Sequence, residues 1–419
     1  MVLRRNYQLN RLLIEKEAPD RFRIITSGGS IVRLNRTALL LLLAVSSSQQ
    51  KELMSELRSL RVFLSESEVH RSIDLFLKLS LLQTRGEKFF NVEVLKENVK
   101  AFYRGACSLS DIAIAVTNQC GFSCPYCYRS SHERSPNTLS TAMFKSILRD
   151  AISLGAIAVG FTGGEPSTVW QKVSSLAIYA KELGFLVITV LTRNVFLSER
   201  IIQEWAEHGV THIKLSLDPS WDEKLIITFV ERFRRQGVNV SLGYTFFSDA
   251  VEPIRWAAAL GKKVGIKVRF SPYIPLGRLP PLIPRDITKI WHEIHLIQER
   301  GTGLAEGIGI YEKVGKGHPM ICDAGISYAY VEHDGHVGGC PLLTSYFPVG
   351  QVTDEKFFLE IWKQGDWSFY RKVEPINPKC AFCSLRSSCI GGCKAMALAR
   401  FGTPKMVKSP IQCTYREDV

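Results

Sequence analysis

Three closely spaced cysteines follow an apolar run of the kind that forms β-strands. Cys120, Cys124 and Cys127 have C-x3-C-x2-C spacing and come shortly after the run 112–116. A loop with glycine and proline between the cysteines can fold three thiolates around one soft metal centre. A structural zinc site needs four closed ligands, whereas three thiolates on an iron–sulfur cube leave one iron open. The spacing therefore favours a cluster with an open iron over the alternatives, a zinc loop or buried thiols.

An aromatic residue, Tyr126, directly precedes the last of these cysteines. Together with the spacing, it resembles the signature of radical S-adenosylmethionine (SAM) enzymes. The resemblance implies that the three cysteines ligate a 4Fe-4S cluster whose open iron binds SAM, with Tyr126 in the cofactor site. In that family an electron donor such as flavodoxin or ferredoxin reduces the cluster, and SAM is cleaved. A 5′-deoxyadenosyl radical then abstracts hydrogen from the substrate.

Composition narrows the class of protein. A chain of 419 residues that is 46% hydrophobic can form two or three domains with substantial cores. It contains neither a run long enough to span a bilayer nor the layout of a signal peptide, so we expect no membrane partner and a cytoplasmic location. Eleven cysteines then indicate metal binding rather than disulfides. The net charge of +13 is compatible with a nucleic-acid partner, an acidic peptide partner or simply a solvated basic surface. The sequence has no basic run with interleaved aromatic residues, so we expect no nucleic-acid partner.

The first hundred residues have the pattern of a separate domain. The apolar runs 22–26 and 31–34 flank a glycine-rich turn and predict a β-hairpin. Asn35 then caps a predicted helix, a second helix is expected near 52–60, and a capping box that starts at Ser65 opens a third. The order of a hairpin followed by three helices predicts a winged helix-turn-helix domain over residues 1–100.

Within this segment, residues 29–38 resemble the leader-recognition domain of pathways that modify ribosomally synthesised peptides, including the peptide chaperone of pyrroloquinoline quinone biosynthesis. The resemblance implies a precursor peptide as partner, with its leader added as a strand to the edge of the hairpin. A DNA-binding winged helix and a dimerisation cap are the alternatives.

Six β-type runs alternate with helical stretches in the middle of the chain. They cover residues 111–117, 157–162, 186–192, 212–217, 238–245 and 265–270. This alternation predicts an α/β fold with a parallel sheet. It is similar to the partial (β/α)6 barrel of radical SAM enzymes, here over residues 108–285, and functional residues of such folds gather at the carboxyl ends of the strands.

Several strand ends resemble cofactor-binding elements of that family. Gly163, Gly164, Glu165 and Pro166 resemble the turn that holds the amino group of SAM, and glycine lets a backbone approach a ligand closely. By resemblance, Ser216 and Asp218 lie beside the SAM ribose and Arg278 contacts SAM. Two departures weaken the residue assignments at the later strands: the chain has Pro219 where many relatives have glycine, and Arg193 and Asn194 where they often have Asn-Gly.

Seven further cysteines lie in the last hundred residues: Cys322, Cys340, Cys380, Cys383, Cys389, Cys393 and Cys413. Their spacing is similar to the SPASM domain, an auxiliary-cluster module of peptide-modifying radical enzymes, which we assign to residues 321–419 after a bridging segment at 286–320. The resemblance implies one 4Fe-4S cluster on Cys380, Cys383, Cys389 and Cys413, and another on Cys322, Cys340 and Cys393. Seven thiolates leave the latter cluster one ligand short, and Cys107 is interpreted as a lone buried thiol. Two zinc knuckles are the alternative.

These features predict an enzyme with three 4Fe-4S clusters and SAM that modifies a precursor peptide. A fused leader domain with SPASM clusters resembles sactisynthases, which join a cysteine sulfur to carbon as a thioether. The alternatives within the class are a carbon–carbon or carbon–oxygen cross-linker and an epimerase. From another class, an iron–sulfur regulator that binds DNA would also use a winged helix and cysteines, but it has no need of a SAM turn.

Overall fold

The computed structural model describes a central block and a C-terminal block of the chain, together with short segments elsewhere. The described residues are 109–276 except 130, 132–137 and 249, then 322–371 and 393–402, and the short segments 8–9, 12–18, 21–26, 31–35, 69, 72–73, 82–83, 290, 292–294, 296–297 and 305–306. Within these residues no helix has the length and apolar character needed to cross a bilayer.

Five strands are described before the central block. They are β1 (Gln8–Leu9), β2 (Leu12–Ala18), β3 (Arg21–Thr26), β4 (Ile31–Asn35) and β5 (Leu82–Gln83). β3 and β4 are antiparallel, with Phe22 opposite Leu34, which confirms the predicted hairpin. β2 pairs with the other side of β3, and sequence reasoning missed it because glutamate, lysine and alanine are depleted in strands. The three helices predicted to follow lie largely outside the described residues, so the winged helix-turn-helix stays a prediction.

The central block contains the six predicted strands in a parallel arrangement. They are β6 (Asp111–Thr117), β7 (Ala158–Gly163), β8 (Val187–Thr192), β9 (His212–Ser216), β10 (Asn239–Phe246) and β11 (Val268–Pro272). This confirms the α/β class. The prediction was three residues early at the start of β11, because Gly265 has a φ of 65° and ends the preceding helix, with its N–H bonded to the carbonyl of Gly261. Glycine has no Cβ, so it adopts the left-handed backbone conformation without a steric clash, and the chain turns at Gly265 before the strand begins.

Helices connect these strands on one face of the sheet. They are α1 (Thr141–Ser153), a 3₁₀ helix (Pro166–Val169), α2 (Trp170–Leu183), α3 (Glu199–Glu207), α4 (Glu223–Arg235) and α5 (Glu252–Val264). Ser140, Ser198 and Asp222 begin α1, α3 and α4, and their side-chain oxygens accept hydrogen bonds from backbone N–H groups in the first turn. Such caps satisfy donors that have no partner within the helix.

The two faces of the sheet differ in side-chain size. Alternate strand residues such as Ile114, Phe161 and Leu215 are fully buried against the helices. Full burial of each such side chain stabilises the fold by about 1.5–3 kcal/mol. The opposite, inner face has small residues such as Ala115 and Gly160. A closed barrel fills its interior with bulky branched side chains, so small residues here leave room on the inner face.

The C-terminal block continues the same sheet. β12 (Ala305–Glu306) extends it beside β11, and β13 (Tyr328–Val331) pairs in parallel with β6 at the other edge. β14 (His336–Gly338) and β15 (Gly350–Gln351) follow as antiparallel strands. The order of the ten-stranded sheet is β12-β11-β10-β9-β8-β7-β6-β13-β14-β15. The predicted bridge at 286–320 therefore contributes an edge strand to the barrel sheet.

Three further helices complete this block: α6 (Phe358–Gln364), α7 (Ser368–Arg371) and α8 (Lys394–Phe401). α6 packs against α1, where the N–H of Leu359 donates to the carboxylate of Asp150 at 3.0 Å. Burial raises the pKa of Asp150, while this N–H and that of Phe358 lower it. Sheet pairing and helix packing together join the barrel to the C-terminal block.

Candidate functional site

The three cysteines of the C-x3-C-x2-C stretch lie together in the loop after β6. Each is half-buried and none forms a disulfide. The sulfur of Cys120 accepts a hydrogen bond from the N–H of Phe122 at 3.4 Å, and the N–H of Cys127 donates to the carbonyl of Cys124 at 3.2 Å. Burial raises the pKa of Cys120, and the nearby thiols of Cys124 and Cys127 raise it further. The three sulfurs therefore act on one another electrostatically.

The donor set of this loop is three thiols. Among the described residues, no three His, Cys, Asp or Glu side chains are close enough to hold one metal ion. A structural zinc site closes with four protein ligands, whereas an iron–sulfur cube can take three thiolates and leave one iron open. The chemistry of three thiols therefore fits a cube, and the ligation itself stays a prediction.

The Gly-Gly-Glu-Pro turn after β7 is locked against the start of the cysteine loop. The N–H of Gly164 donates to the carbonyl of Thr117 at 2.8 Å, and the N–H of Glu165 donates to that of Gln119 at 2.7 Å. Gly163 has a φ of 123°, and a Cβ on Gly164 would lie 2.7 Å from the carbonyl carbon of Gln119. Glycine here permits a close approach to the chain's own backbone, and the predicted approach of the same turn to a ligand stays a prediction.

The side chain of Glu165 joins the ends of two strands. It is only 3% exposed. Its carboxylate accepts hydrogen bonds from Thr192 Oγ1 at 2.6 Å, the N–H of Arg193 at 3.0 Å and the N–H of Ser167 at 3.1 Å. A carboxylate has about four acceptor positions, so three bonds leave capacity for one more donor. Pro166 is buried at the start of the 3₁₀ helix that follows.

Arg193, at the end of β8, joins two residues predicted to lie in the cofactor site. Its guanidinium donates to the hydroxyl of Tyr126 and forms an ion pair with Asp218. It also lies over the rings of Tyr126, Phe122 and Trp221, at 5.6, 5.9 and 5.2 Å from their centroids. Sequence reasoning treated Arg193 only as a departure from a family pattern, and no local signal indicates that these distant residues converge on it.

Tyr126 and Asp218 have further contacts. The ring of Tyr126 lies 5.4 Å from that of Phe247, and burial raises the pKa of Tyr126 although the charge of Arg193 lowers it. Asp218 accepts from the N–H and hydroxyl of Ser220 at 2.9 and 2.8 Å. Ser216 ends β9 and is exposed. The structure thus brings Tyr126 and Asp218 together, while Arg278 lies outside the described residues.

A second group of cysteines assembles in the C-terminal block. Cys322, Cys340 and Cys393 are near enough for their thiols to raise one another's pKa. Burial, the larger cause, raises the pKa of Cys322 to about 11 and that of Cys340 further. The turn before Cys340 needs glycine, because a Cβ on Gly339 would lie 2.7 Å from the backbone nitrogen of Gly325.

This grouping agrees with the predicted ligand set of the first auxiliary cluster, although iron ligation itself stays a prediction. A thiolate ligand must lose its proton, so a bound metal would reverse the effect of burial on these thiols. Predicted cysteine residues that lie outside the described part of the chain are Cys107, Cys380, Cys383, Cys389 and Cys413.

Family models match the region of the cysteine loop and the region of Cys322 and Cys340, whereas Cys393 lies beyond the matched residues. Residues 114–275 match the model of the Radical SAM superfamily, and they include the cysteine loop and all strand ends described above. The chain contains a radical SAM domain. Residues 322–384 of this radical SAM protein match the SPASM model, an iron-sulfur cluster-binding domain.

The radical SAM protein is similar to several known proteins. A PqqA peptide cyclase of Bradyrhizobium diazoefficiens is 30% identical over 106 residues, which is 25% of this chain and 27% of that protein. The match therefore spans about a quarter of that relative's length. The crystal structure of Streptococcus suis SuiB bound to precursor peptide SuiA has a TM-score of 0.66 and 17% identity, and the match covers 97% of this chain and 99% of that one. Native anSMEcpe with bound AdoMet and Kp18Cys peptide has a TM-score of 0.55 and 16% identity, and the match covers 73% of this chain and 94% of that one. These structures share the fold.

A buried charged cluster ties the cysteine loop of this radical SAM protein to its SPASM region. The side chain of Arg129, two residues after Cys127, is 5% exposed. Its guanidinium contacts Glu332 at 2.5 Å, the hydroxyl of Tyr330 at 2.5 Å and Nδ1 of His333 at 3.2 Å. Sequence reasoning missed this cluster, because the partners are about two hundred residues apart. It fixes the cysteine loop against β13.

Proposed function

We propose that this radical SAM protein modifies a ribosomally synthesised precursor peptide. The observation that carries the proposal is the joining of a radical SAM barrel and a SPASM region in one sheet, through the pairing of β13 with β6. The similarity to SuiB, solved with a precursor peptide, extends over 97% of the chain. Two further similar proteins are described as acting on or binding peptides: the PqqA peptide cyclase, and anSMEcpe with bound Kp18Cys peptide.

In this proposal Cys120, Cys124 and Cys127 hold the cluster that binds SAM. Cluster and SAM, when bound, would supply the 5′-deoxyadenosyl radical that removes a hydrogen atom from an unactivated carbon. The remaining acceptor position of Glu165 is available to the SAM amino group, beside the turn of Gly163 and Gly164. The chain's own contribution is to orient the reactants and exclude water.

Arg193 holds Tyr126 and Asp218 at the other side of the candidate cofactor site. Because its charge is shared between an ion pair and aromatic faces, it forms a rigid support rather than a mobile one. We propose that Asp218, oriented in this way, and Ser216 on the same strand end contact the ribose. The small residues of the inner face leave space for a peptide segment next to this position.

The SPASM region would hold two auxiliary clusters, one on Cys322, Cys340 and Cys393 and one on Cys380, Cys383, Cys389 and Cys413. The convergence of the first three thiols supports the division into two sets. Three protein ligands leave one iron open, and an open iron lowers the pKa of a thiol that binds to it. We therefore propose a substrate cysteine as its ligand and a thioether as the product.

Thioether formation balances as a two-electron oxidation of the peptide. A carbon loses one hydrogen atom, the cysteine loses its proton, a carbon–sulfur bond forms, and one electron is left for an auxiliary cluster to accept. Capture of the sulfur near the reacting carbon would give a large positional advantage.

Residues 1–100 are proposed to bind the leader of the precursor. β3 is paired on both sides, so β2 and β4 are the outer strands of the described three-stranded sheet. An outer strand can accept a peptide as an added strand through main-chain hydrogen bonds. The further domains of the proposal are 108–285 for the barrel, 286–320 for the bridge and 321–419 for the SPASM domain.

The function is tested with the reconstituted protein, SAM, dithionite and a cysteine-bearing precursor peptide, to be sought as a short reading frame beside the gene. We expect 5′-deoxyadenosine and a peptide that has lost two hydrogen atoms, measured by mass spectrometry. Iodoacetamide distinguishes the products: a thioether removes one reactive thiol, whereas a carbon–carbon or carbon–oxygen link leaves it. The latter is the second candidate, favoured by the match to a peptide cyclase. An unchanged peptide despite 5′-deoxyadenosine release would contradict the proposed function.

A further inference from the structure

Strand β13 presents two tyrosines to the inner face of the sheet. Tyr328 and Tyr330 alternate with Ala329 and Val331, which are buried against the helices. Tyr330 is the register neighbour of Ala113 on β6, and Tyr328 packs against the small inner-face cluster that these two residues belong to. Both phenol side chains therefore lie on the side of the sheet that carries the small residues.

The hydroxyls of these two tyrosines are engaged differently. Tyr330 is fully buried, and its hydroxyl accepts a hydrogen bond from Arg129 at 2.5 Å. Burial raises the pKa of Tyr328 well above its usual value. The neighbouring groups that raise it further, with Cys340 the first of them, act through charge and not through a hydrogen bond. Since a buried tyrosine hydroxyl usually has a partner, Tyr328 is the one of the pair that calls for a further acceptor.

The backbone of Tyr328 lies beside the turn that follows Cys322. Its N–H donates to the carbonyl of Asp323 at 3.0 Å, and its carbonyl accepts from the N–H of Gly325 at 2.9 Å. Asp323 directly follows Cys322 in the chain. This turn therefore fixes Tyr328 next to one cysteine of the first auxiliary site.

Cys340 lies at the same end of the β13–β14 pair as Tyr328. In this antiparallel pair Tyr330 is opposite Gly338. Tyr328 precedes Tyr330 by two residues and Cys340 follows Gly338 by two, so both are displaced in the same direction along the sheet. The contribution of the Cys340 and Cys322 thiols to the pKa of Tyr328 agrees with this placement. The inner face and the auxiliary cysteines thus meet at one phenol.

The chemistry of the cysteines changes when they bind a metal. Cys322, Cys340 and Cys393 are half-buried and form no disulfide, which fits their use as ligands. A protonated thiol is only a weak acceptor, whereas a thiolate ligand has lost its proton. A hydrogen bond to an ionised acceptor is roughly twice as strong as a neutral one. A tyrosine hydroxyl keeps its proton at pH 7, so it can supply that donor once the thiols are ionised.

We propose that Tyr328 donates a hydrogen bond to a sulfur atom of the first auxiliary cluster and thereby raises the reduction potential of that cluster. The inference rests on the proposed function, in which an auxiliary cluster accepts the electron left over from peptide oxidation. Hydrogen bonds to the sulfurs are among the factors that set the potential of an iron–sulfur cluster. Reduction adds negative charge, so a donor stabilises the reduced state more than the oxidised one and favours acceptance of the electron.

The test is a redox titration of the full-length, reconstituted protein, followed by electron paramagnetic resonance. The Cys124→Ala background leaves only the auxiliary clusters to report, and the signal that Cys340→Ala removes belongs to the first of them. Tyr328→Phe keeps the ring and removes only the donor. We expect one-electron reduction of that cluster to become about tenfold less favourable, which is a fall of about 59 mV in its potential. Equal iron content shows that the cluster is assembled in each variant.

Tyr370→Phe is the matched control. Burial and then the charge of Cys340 raise the pKa of Tyr370, so this phenol also lies near the auxiliary cysteines. Its hydroxyl, however, donates to the carbonyl of Phe347 at 2.9 Å. We therefore expect Tyr370→Phe to leave the potential of the cluster unchanged.

The outcomes separate this inference from the proposed function. An unchanged potential in Tyr328→Phe, or an equal fall in Tyr370→Phe, would overturn the inference alone. A set of signals from which Cys340→Ala removes none would overturn the ligand assignment and the inference together. The expected fall in Tyr328→Phe, combined with a precursor that the intact protein leaves unmodified, would support the inference and contradict the proposed function.

Discussion

Replacement of Arg129 by methionine should destabilise the protein strongly, because it leaves a buried carboxylate without its main partner. Glu332 has a side chain that is 6% exposed and contacts Arg129 at 2.5 Å. After the change, its described contacts are Ser345 Oγ at 3.3 Å and Nδ1 of His333 at 3.7 Å. Removal of one partner from a buried ion pair costs about 3–5 kcal/mol. We expect a loss of this size in the free energy of unfolding at pH 8, measured by urea denaturation under anaerobic conditions.

The loss should depend on pH in a direction that the structure defines. Burial raises the pKa of Glu332, but His333 and Arg129 outweigh burial and lower it below its usual value. A carboxyl group whose pKa is lower in the folded state stabilises the fold at any pH above its pKa in the unfolded state, which is about 4.3 for glutamate. That stabilisation is lost only as the pH falls through the lower pKa of the folded state. The intact protein should therefore keep this contribution between pH 8 and 6. In Arg129→Met burial dominates, so Glu332 takes up a proton as pH falls and the difference between the proteins shrinks.

The double variant Arg129→Met with Glu332→Gln is the matched control. It removes both charges, so it should recover much of the lost stability, with a coupling energy of about 1–3 kcal/mol. A loss below about 1 kcal/mol for Arg129→Met would refute the reasoning. So would a loss that stays constant from pH 8 to 6 and is equal in the double variant, since the cost would then not come from an unpaired carboxylate.

Three other predictions concern the cysteine loop and the N-terminal domain. Gly164→Ala should slow SAM cleavage about tenfold or more, because the new Cβ would meet the backbone of Gln119 and overpacking costs about 1–3 kcal/mol. Gly121→Ala is the control and should not slow cleavage, because a Cβ there meets nothing within 4 Å. Equal rates for the two variants would contradict the locked turn. Cys124→Ala should abolish SAM cleavage but keep most C-terminal cluster absorbance, and normal 5′-deoxyadenosine release would refute the ligand assignment. Removal of residues 1–100 should leave SAM cleavage nearly intact and prevent modification of a leader-bearing precursor; undiminished modification would place leader recognition elsewhere.

Much of the barrel was predictable because its signals are local. The alternation of apolar strand and helix patterns depends on neighbouring residues, and all six strands of the central block were located in this way. The error at β11 is instructive, since Gly265 belongs to the end of α5 and only its backbone conformation shows this. Strand β2 was missed because its pairing with β3 outweighs the weak strand propensity of its charged residues.

The sequence predicted the cysteines of the candidate site, but only some of the residues that position them. Cys120, Cys124 and Cys127 are close in sequence, and their loop brings them together by itself. Cys322, Cys340 and Cys393 were grouped through resemblance, and the described fold brings them together. The ligation of iron and SAM by these and the other assigned residues stays a prediction.

Cysteine spacing and the family resemblance that it carries predicted the chemistry of this chain, because thiol ligands and the glycine turn act over a few residues. Tertiary structure alone decided three features. The SPASM strand β13 pairs with β6, Arg193 joins Tyr126 to Asp218, and Arg129 is buried against Glu332. Each depends on groups that lie far apart in the chain and meet only when the sheet closes the distance. Burial of a charged side chain is costly unless an oppositely charged or hydrogen-bonding partner lies next to it, and no pattern of neighbouring residues in the sequence specifies that contact.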